Sequence, residues 1–431
     1  MMRVPLWASL AVWLLAAGCS PGRYLRNQVS QAEKDFQNHI GFFLYDPQTR
    51  KTLLDYQGDR YFIPASNTKI FTLYACLQLL GDSIPSLKYL ERNDSLILWA
   101  TGDPSFLYDK VTQENRTYSF LRQHSSSLYM SSPTVSPDRF GPGWSWDDYS
   151  YAYQVERTTF PIYGNRFRVS KANGSFQISP AFFRTDVAQT STSREKHELV
   201  RDPASNALVY APGSKSNGGS TWNIPVSFTD GMMLRLLSDT LHREIKSLSM
   251  PVSTQAAILY SVPSDSLYRV MMQQSDNFLA EQLLIVCAGI LSDTLKPEIA
   301  IREAQKRFLE DLPDPPVWVD GSGLSRMNLA TPRSVVRMWE KIDAVVPRGR
   351  LYAMLAAGGM NGTLQDYYIG GKPFLYGKTG TLRNNNALSG FLITRRGRTL
   401  LFSWMNNNFT SSTGDVRKRM ETVLKFVYEK Y

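Results

Sequence analysis

The sequence predicts an α+β protein with a strand-rich insertion, and three observations predict it. Short strands bounded by turn residues occur near both ends of the chain, at 40–56 and 376–405. Between and after them, apolar residues at helical spacing mark several helices. From about 92 to 235 the texture changes to short strands, turn clusters and Ser/Thr/Asn stretches. A chain of 431 residues is too long for one ordinary core and implies two or three domains. With 43% hydrophobic and 20% charged residues, it is not a disordered chain. The net charge of +10 suits anionic surroundings such as lipid headgroups or wall polymers. There is no Lys/Arg cluster of the nucleic-acid type, because Arg395-Arg396-Gly397-Arg398 reads as a hairpin turn between apolar strands. No nucleic-acid partner is expected.

The first eighteen residues stand apart from the fold. Arg3 precedes an apolar run from Leu6 to Ala17, too short to span a bilayer and suited to a signal peptide over 1–18. The run ends Leu15-Ala16-Ala17-Gly18-Cys19, which resembles a bacterial lipoprotein processing site. That resemblance implies cleavage before Cys19 and lipidation of its sulfur. Ser20 in the next position points to the outer membrane, and hence to a periplasmic, lipid-anchored protein of a Gram-negative bacterium. Ordinary secretory cleavage with an incidental cysteine is the other reading. Two cysteines then remain, Cys76 and Cys287. Export permits a disulfide, but both lie on apolar helix faces and read as buried thiols.

Residues 20–38 read as a polar lead-in and first helix. Ile40 to Tyr45 and Thr52 to Tyr56 are strands around the turn Asp46-Pro47-Gln48-Thr49. The helix that follows begins at Pro64-Ala65-Ser66-Asn67-Thr68-Lys69, has apolar residues at 70, 73, 74, 77 and 80, and stops near Gly81. Ser66 and Lys69, three apart, share one helix face with a rise of about 4.5 Å. A hydroxyl beside an amine at the mouth of a buried helix suggests an activated nucleophile, provided the lysine is neutral. Alone the pattern is weak: Ser193-Arg194-Glu195-Lys196 has the same spacing and reads as a solvated loop.

In the insertion, Leu96 to Ala100 is a strand closed by Thr101-Gly102-Asp103-Pro104, and aromatics crowd Trp144, Trp146, Tyr149, Tyr151 and Tyr153. Helical spacing resumes at about 229–246, from Asp230 onward. Ala256 to Tyr260 is a strand, and Ser264 to Met272 and Phe278 to Ala288 are helices. Ser275-Asp276-Asn277 lies between those two. A polar helix at 297–310, the glycine-rich loop Asp320-Gly321-Ser322-Gly323-Leu324-Ser325 and a helix at 332–345 come next. Tyr376 to Thr381 is a strand, Ala387 to Thr394 and Thr399 to Met405 form a hairpin, and Asp415 to Tyr428 is a final amphipathic helix.

Three motifs therefore stand in order: Ser66-x-x-Lys69 at a helix start, Ser275-Asp276-Asn277 between helices, and Lys378-Thr379-Gly380 on a strand. Together they are the signature of serine penicillin-recognising enzymes. With the long gap between the first two motifs, Gly102-Asp103-Pro104, the stretch Pro142-Gly143-Trp144-Ser145-Trp146-Asp147-Asp148 and the 320–325 loop, the sequence resembles one family. That is the class C low-molecular-mass penicillin-binding proteins, D-alanyl-D-alanine carboxypeptidase/endopeptidases of peptidase family S13. One departure is Ala100-Thr101-Gly102-Asp103-Pro104, where the family usually has a further glycine; it lies outside the motifs.

The resemblance implies a serine β-lactamase/penicillin-binding-protein transpeptidase-like fold. A five-stranded antiparallel sheet flanked by helices and a helical lobe would come from 19–91 and 236–431, with a β-rich domain inserted at 92–235. It implies a serine DD-peptidase that acts on peptidoglycan stem peptides through an acyl-Ser66 intermediate, with β-lactams as covalent inhibitors and no cofactor or metal. Acyl transfer needs a nucleophile, a base, an oxyanion site and a cation for the substrate carboxylate. Ser66 and Lys69 take the first two roles. Ser275 would relay the proton to the leaving amine, and Asn277 would hold Lys69. Lys378 would supply positive charge for the substrate carboxylate and to lower the pKa of Lys69, and Thr379 would bond that carboxylate. Gly380 would let substrate lie against the strand, and the N–H groups of Ser66 and Thr381 would form the oxyanion hole. The four histidines, His39, His124, His197 and His242, sit in unrelated contexts. The bland reading makes Ser66, Ser275 and Asn277 helix caps. Rival functions are a β-lactamase-like hydrolase and an inactive wall-binding lipoprotein.

Overall fold

The computed structural model describes residues 21–111, 115–132, 135–191, 198–211, 220–229 and 231–431. The processing site at Cys19, the spare Ser193–Lys196 pattern, His197 and Asp230 lie outside the described residues. The chain divides into two compact units.

The first unit comprises residues up to Asn67, Leu312–Pro316 and Leu329–Tyr431. Its sheet runs in the order Ala356–Ala357, Leu375–Leu382, Asn385–Ile393, Thr399–Asn407, His39–Asp46, Lys51–Tyr56, with every pair antiparallel. The five long strands are the five expected. The sixth, a two-residue edge strand, has too short a pattern to be read from sequence. Thr399–Asn407 is buried at every position and Asn385–Ile393 at all but its last, so these strands are covered on both faces. Alternation sorts the partners. Leu388 and Leu392 join Leu25, Val29, Leu424 and Val427 of the first and last helices, Pro21–Phe36 and Thr413–Lys430. Phe391, on the opposite face, meets Trp339 edge-on at 5.5 Å from the helix Pro332–Val345. Two of these helices start on side-chain caps: Thr331 Oγ1 accepts from Ser334 N and Ser412 Oγ from Asp415 N.

The second unit comprises Thr68–Asp311 and Val317–Asn328. Its two central helices, Lys69–Leu79 and Asn277–Leu291, are buried almost all round: Lys69–Cys76 and Phe278–Ala288 carry no exposed residue. The apolar stripe at 70, 73, 74 and 77 thus understates the burial, since Thr72 and Lys69 are enclosed as well. Cys76 and Cys287 are buried free thiols with their sulfurs 3.8 Å apart.

The rest of this unit is sheet. A mixed five-stranded sheet runs Ile245–Leu248, Ser127–Ser131, Ser95–Ala100, Ser83–Arg92, Ala257–Pro263. Two three-stranded sheets centre on Leu208–Tyr210 and Arg166–Ala172. Ser83–Arg92 and Ala257–Pro263, paired antiparallel, and the edge strand Ile245–Leu248 come from outside the 92–235 stretch, Arg92 apart. Ser83–Arg92 went unread because its burial does not alternate: four consecutive residues, Ile84 to Leu87, are buried. Among the described residues no helix is long and apolar enough to cross a membrane.

Candidate active site

In the first unit, Ser66 sits on the 3-10 turn Ala65–Thr68, half-buried, rather than on the α-helix, which begins at Lys69. Ala65 immediately before it holds φ +48, a left-handed conformation costly for a residue with a Cβ. The turn is fixed by its neighbour. Asn67 is fully buried; its Nδ2 donates to the carbonyl of Lys378 at 3.0 Å, and its Oδ1 accepts from Ser389 Oγ at 2.5 Å. Ser389 Oγ in turn accepts from Trp339 Nε1 at 3.0 Å. The Ser66 turn is thereby fastened to the Leu375–Leu382 strand. Gly380 explains how closely they meet. A Cβ there would stand 2.6 Å from the carbonyl oxygen of Pro64 and 3.0 Å from the backbone N of Ser66. The glycine is required by this backbone approach. Lys378 is buried and donates to its neighbour's carbonyl, Thr379 O, at 2.7 Å. Thr379 Oγ1 lies 2.7 Å from Thr363 Oγ1.

In the second unit, Lys69 and Asn277 are brought together. Lys69 Nζ donates to Asn277 Oδ1 and to the carbonyl of Ser322, each at 2.6 Å. Asn277 Nδ2 donates to Tyr153 O at 3.0 Å, which orients the amide so that its oxygen faces the lysine. Burial lowers the Lys69 pKa to about 8, against the opposing pull of the Asp320, Glu281 and Asp276 carboxylates. Burial is the largest cause of that shift. Ser275 stands in the loop between the helices with φ +58. Neither Ser275 nor Asn277 caps the following helix: Asp276 does, its Oδ1 accepting from Leu279 N at 3.1 Å. The other Asp276 oxygen receives Tyr108 OH at 2.6 Å and Lys110 Nζ at 2.8 Å. Burial pushes this carboxyl up, but the Arg166 and Lys110 charges prevail and hold it below the usual carboxylate range.

The 320–325 loop reaches this centre through its backbone. Asp320 folds it, accepting from Gly323 N, Ser325 N and Asn328 Nδ2, and from Trp144 Nε1 at 2.9 Å. Gly321 packs so tightly that a Cβ would stand 2.5 Å from Ala280 O. Glu281 and Arg157 were missed. Glu281 Oε1 accepts from Ser322 N at 2.7 Å, and its Oε2 takes Arg157 Nη2 and Nε at 2.6 and 3.0 Å. The signal was present: Glu281 and Gln282 interrupt an apolar helix, and a buried carboxylate must be paired. The histidines lie elsewhere: His242 ends the helix Met232–Leu241, and His124 lies 3.4 Å from Glu91.

The fold is that of a penicillin-binding protein. It is similar to the crystal structure of penicillin binding protein 4 (dacB) from Haemophilus influenzae, with TM-score 0.76 and 20% identity over 93% of this chain and 99% of that one. A second structure of that protein, complexed with a β-lactam, gives TM-score 0.73 at 19% identity over the same shares. In sequence, D-alanyl-D-alanine carboxypeptidase DacB of Haemophilus influenzae is 23% identical, covering 89% of this chain and 88% of its own. D-alanyl-D-alanine carboxypeptidase of Actinomadura sp. is 25% identical, covering 85% and 77%. Residues 25–428 match the D-Ala-D-Ala carboxypeptidase 3 (S13) family, and the chain belongs to that family. It is a serine-type D-Ala-D-Ala carboxypeptidase, a hydrolase acting on peptidoglycan.

Proposed function

We propose that Ser66 Oγ attacks the carbonyl carbon of the penultimate D-Ala of a stem peptide while Lys69 Nζ takes the hydroxyl proton. The C–N bond to the terminal D-Ala then breaks. Its amine leaves with a proton relayed through Ser275, and Ser66 carries the acyl group as an ester. Water adds to that ester, releases the shortened peptide and returns the proton to Ser66. The backbone N–H groups of Ser66 and Thr381 take the oxyanion, and Lys378 and Thr379 take the substrate carboxylate.

The observation that carries this reading is the state of Lys69. A neutral amine has two N–H bonds and a lone pair. Two acceptors at 2.6 Å, Asn277 Oδ1 and Ser322 O, take hydrogens of that amine and fix its orientation. A lysine depressed to about 8 is a competent base near neutral pH. β-Lactams would acylate Ser66 in the same way, in keeping with the β-lactam bound in the structurally similar Haemophilus protein. The amino-terminal sequence supports an exported lipoprotein, anchored through Cys19 to the outer membrane and facing the periplasm.

Labelled penicillin tests the chemistry. The wild-type protein should take one label per chain and Ser66→Ala none. Equal labelling of both, or none of the wild type, overturns the assignment, and rapid release of hydrolysed penicillin identifies a β-lactamase instead. Mass spectrometry of the mature amino terminus tests the anchor: a lipid-modified Cys19 is expected, and an unmodified terminus refutes it.

A further inference from the structure

We infer that Arg417, on the carboxyl-terminal helix, determines specificity for substrates ending in a free carboxylate. The inference rests on the acyl-enzyme reading above and deepens it. It starts from one hydroxyl. Thr381 Oγ1 accepts from Asn386 Nδ2 at 3.1 Å and from Arg417 Nη2 at 3.0 Å. With both acceptor positions filled, the hydroxyl has its own proton to give outward. Thr381 is exposed, so that proton faces solvent or ligand.

The strand around it is open. Leu375–Leu382 pairs along its length with Asn385–Ile393 but, on its other edge, only at Tyr376 and Gly377, with Ala356–Ala357. From Lys378 onward no further strand pairs with that edge among the described residues, which is where an extended peptide would add. Thr379 and Arg417 both line a small pocket on the sheet face toward the carboxyl-terminal helix, together with Thr363, Tyr367, Leu388 and Met420.

Arg417 also keeps its charge. Among the described residues no carboxylate lies within 4 Å of it. The acid one turn further on, Glu421, is taken by Lys425 Nζ at 2.9 Å and by the backbone N–H of Tyr368 at 2.9 Å. The guanidinium is held over the Tyr367 ring, 5.5 Å from its centroid. An unneutralised cation that orients a donor hydroxyl near a strand edge is the chemistry of carboxylate recognition. A surface arginine with only a stabilising role has no use for the Thr381 contact. The occupant is the terminal carboxylate of a D-Ala-D-Ala peptide, and an internal peptide bond would lack the charge Arg417 reads.

The test compares a D-Ala-D-Ala peptide with the same peptide carrying a terminal carboxamide, on the full-length mature protein. The wild type should prefer the carboxylate at least tenfold in kcat/KM; equal turnover of the two overturns the proposal. Arg417→Met should lose about tenfold to a hundredfold on the carboxylate and less than twofold on the amide. Arg417→Lys, which keeps the charge and loses the fork, should recover part of the loss. Equal losses on both substrates, or no loss, refute the assignment. Saturating labelled penicillin should still label Arg417→Met at Ser66 in full. If the wild type itself takes no label, it is the acyl-enzyme reading that fails.

Discussion

Glu281 holds the Ser322 peptide by accepting its N–H at 2.7 Å, and the carbonyl of the same Ser322 receives the amine of Lys69 at 2.6 Å. One side chain thus sets both the direction of an acceptor and the field around the base. Its own partner, Arg157, is as deeply buried, with the two side chains 1% and 3% exposed. A bidentate pair enclosed this fully is a positioning device, since a lone charge at either site would be untenable.

Glu281→Gln should therefore do two separable things. The amide oxygen can still accept from Ser322 N, so the loop keeps its shape. The negative charge that raises the Lys69 pKa is gone, and Arg157 loses its buried counter-ion and keeps, among the described residues, only Glu298 at 3.8 Å. Lys69 acts as a base when neutral, so the wild-type rate of Ser66 acylation should rise with pH to a plateau above about 8. In the variant the acidic limb should move to lower pH, and unfolding stability should fall by about 3–5 kcal/mol. Stopped-flow acylation across pH reads the first effect and denaturant melts the second. An unmoved limb would show that the carboxylate acts on shape alone.

Lys69 itself makes a stability prediction with a definite sign. Its folded pKa, about 8, lies below the ordinary value of 10.5. Between those values the unfolded chain binds a proton that the folded protein does not, so stability rises with pH across that window. Below about 8 both states are protonated, and the burial cost is present in full. Lys69→Met removes this dependence along with the activity. The wild type should gain on the variant by on the order of 2–4 kcal/mol between pH 8 and 10.5, with a flat difference below that window. A difference that stays flat throughout would mean Lys69 titrates normally. Comparing the two proteins cancels the pH dependence they have in common.

The contrast between Lys69 and Glu281 shows what a linear sequence discloses. Lys69 was legible because three short motifs in a fixed order carry their own chemistry. The long strands and helices were legible because Leu388, Phe391 and their neighbours alternate or recur with the period of their element. Ser83–Arg92 was not, because Pro85 and Ser86 break up its buried run from Ile84 to Leu87. Asn67 and Arg157 carried no local signal at all: each acquires its meaning from partners hundreds or scores of residues away, Lys378 and Glu281. The capping role went to Asp276 because an interhelical Ser-Asp-Asn offers three candidate caps, and only the backbone path, with Ser275 at positive φ, selects one.

Gly380→Ala should separate geometry from stability. The added methyl meets backbone atoms, Pro64 O and Ser66 N, which cannot step aside as a flexible side chain would. The Ser66 turn must shift by a few tenths of an ångström. A misplacement on that scale should cost acylation at least tenfold while stability falls by about 1–3 kcal/mol. Gly371→Ala, where nothing lies within 4 Å, is the matched control and should leave both unchanged. Equal acylation rates for Gly380→Ala and wild type would mean the turn tolerates displacement.

Asn67 offers the sharpest dissection, because its two ends bond to different elements. Asn67→Ala removes the donor to the Lys378 carbonyl and the acceptor of the Ser389 hydroxyl proton in a buried site, a loss of about 2–4 kcal/mol. Ser389→Ala takes the acceptor from the buried Trp339 Nε1–H and the donor from the Asn67 oxygen, a loss of about 2–4 kcal/mol. The two share a hydrogen bond, so the double variant should be more stable than additivity predicts, by about 0.5–3 kcal/mol. Acylation should fall in Asn67→Ala but hardly in Ser389→Ala, because only the first unfastens the Ser66 turn from the Lys378 strand. Denaturant melts of the four proteins give the coupling, and penicillin labelling gives the rates. Strict additivity would show that the Ser389–Asn67 bond contributes nothing. Equal acylation losses in both variants would place the anchoring on the sheet as a whole instead of on the Asn67–Lys378 bond.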